Sequence, residues 1–115
     1  MKRKPVHPGP YRSPFELFKQ AVNGTAKVTV CGEVDIATAA PLEDLLIGTM
    51  NGPSSTIEVD LGDVSFMDVS GLTALVRADD RARDVGGHLY LSRVPERVAR
   101  LLRIFDLDHR FSILA

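Results

Sequence analysis

Asp60-Leu61-Gly62-Asp63-Val64-Ser65-Phe66-Met67-Asp68-Val69-Ser70, followed at once by Gly71-Leu72, is the stretch that decides the fold. Ile57, Val59 and Leu61 alternate with Glu58 and Asp60, which is the period-two pattern of a strand with one apolar and one polar face. The residues after Leu61 read as a short acidic loop. That loop ends at Ser70, which reads as the first residue of a helix running to about Val85 and closed by Gly86-Gly87.

Working outward, the chain alternates strands and helices. Phe15 to Val22 reads as a first strand, and Asn23-Gly24 is a hairpin signal because both residues accept positive φ. Ala26 to Glu33 returns as a second strand with Ala26, Val28 and Val30 on one face. Thr38 is placed to cap a helix in which Leu42, Leu45, Leu46 and Met50 recur at helical spacing. Pro41 falls in its first turn, and Asn51-Gly52-Pro53 stops it. Thr56 to Leu61 is the third strand, and Leu89 and Leu91 mark a fourth, with His88 and Tyr90 on its other face. Pro95 opens a helix expected to bury Val98, Leu101, Leu102 and Phe105. Phe111 and Ile113 suggest a last edge strand.

Strands separated by helices imply parallel, right-handed crossovers after the initial antiparallel hairpin. A sheet covered on both faces would carry continuous apolar strands. Glu58 and Asp60 interrupt that pattern. The expected fold is therefore α/β, a mixed and mostly parallel sheet of four to five strands with helices on one face.

The 115 residues are enough for one domain, with 44% hydrophobic and 25% charged residues, which is ordinary for a globular protein. A formal charge of −1 gives no electrostatic reason for a nucleic-acid partner. No apolar run approaches the roughly 20 residues of a membrane span. A single cysteine cannot form an internal disulfide, and a cytoplasmic location is expected. Residues 1–13 stand apart, because Lys2, Arg3, Lys4 and Arg12 mix with Pro5, Pro8 and Pro10. They read as a flexible basic tail ahead of a domain at 14–115.

Ser70 carries the chemistry. As a helix cap, its hydroxyl would accept the N–H of Leu72 or Thr73. As a modification site, it would place a phosphate at the positive end of a helix, where anions are stabilised. Gly71 would leave room for the phosphate oxygens and an approaching kinase. A phosphoserine adds about −1.5 to −2 charges beside Asp68, with Asp63 nearby. It would penalise an apolar contact around Phe66 and Met67 by repulsion and desolvation.

The blocks Gly32-Glu33-Val34-Asp35, Asp60 to Leu72, Gly86-Gly87-His88-Leu89 and Pro95-Glu96-Arg97-Val98 resemble the STAS domain. So does the segment with Leu101-Leu102 and Phe105-Asp106-Leu107-Asp108. The resemblance spans roughly residues 15–115, and single-domain proteins of this kind are bacterial anti-sigma-factor antagonists. It implies that the unphosphorylated chain binds an anti-sigma factor of the histidine-kinase-like ATPase type and frees a sigma factor. That partner, as a serine kinase using ATP and Mg²⁺, would phosphorylate Ser70, and a serine phosphatase would reset it. The antagonist itself would need no cofactor and catalyse nothing. The expected partner surface comprises Asp35, Phe66, Met67, Asp68, Val69, Gly71 and Leu72. Val69 stands where the family often has a second serine, which bears on kinase preference.

Three other readings compete. A STAS scaffold could serve a stress-signalling or lipid-transport complex without phosphorylation. Asp35, Asp60, Asp63 and Asp68 could form a Mg²⁺ and phospho-aspartate or phosphohydrolase site, although adjacent acids after the first strand and a lysine on a late strand are missing. A Ser-His-Asp hydrolase lacks the Gly-x-Ser-x-Gly elbow. His88 and His109 read as surface residues, His7 lies in the tail, and Cys31 reads as structural.

Overall fold

The computed structural model describes residues 14–114. The tail, with His7, lies outside the described residues. The elements are β1 (Glu16–Val22), β2 (Thr25–Val34), α1 (Ala39–Met50), β3 (Thr56–Met67), α2 (Val69–Asp84), β4 (His88–Ser92), α3 (Glu96–Ile104) and β5 (Ser112–Leu114). In space the strands follow chain order from β1 to β5. The β1–β2 pair is antiparallel and all later pairs are parallel. Asn23 (φ 51°) and Gly24 (φ 82°) turn the hairpin, as two left-handed residues in a tight connection should.

The pairing aligns Val28 with Val59 and Val59 with Leu91. These side chains lie on the core face and are fully buried. The next rungs, Lys27–Glu58–Tyr90 and Thr29–Asp60–Ser92, make the opposite, polar face. The helices cover the apolar face. Leu42 and Leu46 of α1, Leu72 and Leu75 of α2, and Val98 and Leu102 of α3 share one core cluster with the strands. Buried Ala74, Ala78 and Ala82 keep the inner surface of α2 slim. Across the outside of the helix layer, Arg77 meets Glu43 and Arg81 donates to the Asn51 side chain.

The structure corrects three local expectations. First, β3 does not end at Leu61 in an acidic loop but runs on to Met67. β2 remains alongside and pairs Val34 with Met67, and two register shifts, at Thr29/Cys31 and Gly32/Glu33, absorb the irregularity. Such bulges break strict alternation, which is why the segment reads as a loop. Second, Phe105 is the C-cap of α3 and is exposed. The chain reverses at Asp106 (φ 57°), and Phe111 fills the core instead. Leu45 and Leu101 are only partly buried.

Third, Thr38 precedes α1 without side-chain capping of that helix. Its hydroxyl turns back, accepting the Asp35 N–H at 2.9 Å and donating to the Glu33 carbonyl at 2.9 Å.

Candidate partner-binding site

β2 and β3 are parallel neighbours that end side by side, so the loops following them share one end of the sheet. The Asp68 N–H donates to the Val34 carbonyl at 3.2 Å, which joins the two loop entries. Asp35 opens the first loop, where its Oδ1 accepts the N–H groups of Ala37 (2.9 Å) and Thr38 (3.3 Å). Asp68 opens the second, where its Oδ1 accepts the Ser70 N–H at 2.8 Å. The Asp68 carbonyl then accepts from Gly71 (3.0 Å) and Leu72 (3.3 Å), and α2 begins.

The helix cap is therefore Asp68, with extended backbone (φ −114°, ψ −168°), and Ser70 lies inside the first turn. This corrects the assignment of Ser70 as the cap. A carboxylate two residues ahead satisfies the amide that starts the helix. The Ser70 hydroxyl makes no hydrogen bond among the described residues, and the side chain is half-buried. The result is an uncommitted hydroxyl at the positive end of a 16-residue helix.

The residues expected on the partner surface divide in two. Phe66 (45% exposed) and Val69 (50%) face solvent, with Asp35 and Asp68 partly exposed. Met67 (7%) and Leu72 (1%) are core residues, and Gly71 is buried with them. A Cβ on Gly71 would lie 2.6 Å from Met67 Cγ and 2.9 Å from Val34 Cγ1. The space vacated by its missing side chain is thus filled by neighbours, not kept open for a phosphate. Gly71 lets α2 descend onto the ends of β2 and β3, and Met67 and Leu72 support the surface from beneath.

One exposed residue escaped the sequence reading. Ile36, 84% exposed, follows Asp35 in the same loop. In the sequence it continues the even-numbered alternation of Ala26, Val28, Val30 and Val34, so nothing local marks it as exposed.

The carboxylates proposed for a metal do not converge. Asp60 lies on the polar face of the sheet, 2.9 Å from Arg93 Nε and 3.7 Å from Lys27 Nζ. Asp63 lies 3.7 Å from Arg93 Nη2 and 3.8 Å from Cys31 Sγ. Among the described residues, no three His, Cys, Asp or Glu side chains come together as metal ligands. Burial alone would push the Asp60 carboxyl up. The Gly62 N–H, the Arg93 guanidinium and the Lys27 charge together hold it below its ordinary value. His88 begins β4 opposite Thr56, at the start of β3, whereas Ser70 lies beyond the far end of that strand. His109 is exposed beside Asp108. No helix among the described residues is long and apolar enough to cross a membrane.

Residues 18–115 match the family model described as Mlab, STAS domain. The anti-sigma-B factor antagonist of Staphylococcus epidermidis is 33% identical over 81 residues, covering 70% of this chain and 75% of that protein. An anti-sigma factor antagonist from Mycobacterium paratuberculosis has a similar crystal structure, with a TM-score of 0.78 at 22% identity over 87% of this chain and 85% of that one. The phosphorylated form of the Bacillus cell fate determinant SpoIIAA gives a TM-score of 0.67 at 20% identity over 89% and 92% of the two chains.

Proposed function

The chain belongs to the STAS domain family of anti-sigma-factor antagonists, and from that premise we propose that it binds an anti-sigma factor until Ser70 is phosphorylated. The observation that carries this reading is the division of labour at the start of α2. Asp68 caps the helix through the Ser70 amide, so the Ser70 hydroxyl is spared for modification.

In the unmodified state, exposed Phe66 and Val69 offer apolar area, and docking there removes it from water. A phosphate on Ser70 adds about −1.5 to −2 charges beside Asp35 and Asp68. Desolvating that charge against a partner's apolar surface is costly, and the helix end stabilises the free phosphoprotein. The anti-sigma factor is the serine kinase in this scheme, with ATP and Mg²⁺ as its own reactants. A serine phosphatase removes the phosphate. The chain works by binding and contributes no catalytic group.

The experiment incubates the purified chain with each purified kinase-type anti-sigma factor of its source genome and ATP, then maps the phosphosite by mass spectrometry. Modification at Ser70 is expected. Modification elsewhere, or none, overturns the reading.

A further inference from the structure

Ile36 has the highest exposure of the large hydrophobic side chains that face solvent among the described residues, yet it is held on an ordered loop. Asp35 and Thr38 lock that loop by exchanging bonds: the Asp35 N–H donates to Thr38 Oγ1, and the N–H groups of Ala37 and Thr38 donate to Asp35 Oδ1. Thr38 Oγ1 is anchored in turn to the Glu33 carbonyl. These bonds fix the backbone on either side of Ile36, and β-branching narrows the side chain's χ1 choices, so little loop ordering is left to lose on binding, which favours an anchor role.

Its position is fixed relative to the switch. Ile36 lies two residues past Val34, and Val69 lies two residues past Met67, the partner of Val34 in the β2–β3 ladder. The Asp68–Val34 backbone bond ties the two loop entries together. Adjacent strands are about 4.8 Å apart, so a partner that covers Ser70 meets both loops.

Resting on the proposed function above, we infer that Ile36 selects which anti-sigma factor is bound. It enters an apolar pocket of the partner, and the rim of that pocket carries Lys or Arg side chains toward Asp35 and Asp68. Each aspartate engages only Oδ1 within the described residues. Oδ2 of each is then the acceptor for the cationic rim. Ile36 belongs to the β2–α1 loop rather than to α2, so its contact sets partner choice while Ser70 sets the on–off state. An apolar anchor discriminates because a pocket shaped for isoleucine is left partly empty by a smaller residue and rejects a charged one.

The test measures Kd for purified kinase-type anti-sigma factors of the source genome. Every variant is made in the Ser70→Ala background, so that phosphorylation cannot intervene. Ile36→Ala is expected to weaken the best-bound factor at least about tenfold and to shrink its preference over the second-best factor. Ile36→Lys is expected to abolish measurable binding, while thermal unfolding of both variants stays at the parent value because the side chain is outside the core. An Ile36→Ala affinity within about twofold of the parent, with the preference unchanged, overturns the inference and leaves the functional reading standing. Failure of the parent to bind any factor overturns both.

Discussion

Asp68 Oδ1 accepts the Ser70 N–H at 2.8 Å, so the residue that caps α2 and the residue that offers a free hydroxyl are neighbours two positions apart. Their separation has a measurable signature. Asp68→Ala should lower stability by about 0.5–2 kcal/mol, the usual cost of a lost cap. Ser70→Ala should stay within about 0.5 kcal/mol. Urea unfolding of both variants checks this, and a larger loss at Ser70 than at Asp68 would return the cap to the serine.

In the proposed switch the same hydroxyl sets the binding state. Ser70→Ala should retain affinity for the cognate anti-sigma factor and resist inactivation by ATP. Ser70→Asp should bind about tenfold more weakly or worse, equivalent to roughly 1.4 kcal/mol. Titration calorimetry with the two variants decides the matter, and equal affinities would count against a charge-based switch.

Gly71 seats the helix on the sheet. Gly71→Ala drives a methyl to within 2.6 Å of Met67 Cγ, and overpacking of this kind costs about 1–3 kcal/mol. Shortening Met67 to alanine removes the nearer contact and leaves Val34 Cγ1 at 2.9 Å, so the clash is relieved in part. The double variant should therefore lose less stability than the sum of the two single changes. Strict additivity in denaturant titrations would show that the contact is not the cause.

Asp60 gives the fold an acid sensitivity. Its folded-state value lies below the ordinary 3.8, so ionisation favours the native state. That contribution is fully present above the unfolded value and is lost as pH falls through the folded one. Wild type should exceed Asp60→Asn in stability at neutral pH, and the gap should narrow below pH 3.8. Replacing Arg93 with alanine should shift the narrowing to higher pH, because its guanidinium is one of the groups holding the carboxyl down. A gap independent of pH would remove Asp60 as the source.

Much of the fold was legible because its signals are local. Asn23-Gly24 permits positive φ at two adjacent residues, which few other pairs do without strain. The spacing of Leu42, Leu46 and Met50 commits one face of α1 to burial. Alternation in β3 separates Ile57, Val59 and Leu61 from Glu58 and Asp60, and it correctly left one sheet face polar. The segment from Gly62 to Met67 misled because Asp63 and Ser65 carry loop-like polarity. Its strand character comes from β2 alongside it, more than thirty residues earlier in the chain.

The sequence by itself determined the order of elements, the single-sided sheet and the candidate acceptor at Ser70. Turn chemistry and apolar periodicity act between residues a few positions apart, and the resemblance across the blocks added the expectation that Ser70 is the acceptor. Only the tertiary structure decided that Asp68 caps α2, that Met67, Gly71 and Leu72 are support beneath the surface, and that Ile36 stands exposed beside the acceptor's loop. It also brought Asp60 to Arg93, 33 residues apart. Those outcomes depend on which backbone amides and which volumes meet across β2, β3 and the helix layer, and distances of that kind exist only once the chain has closed on itself.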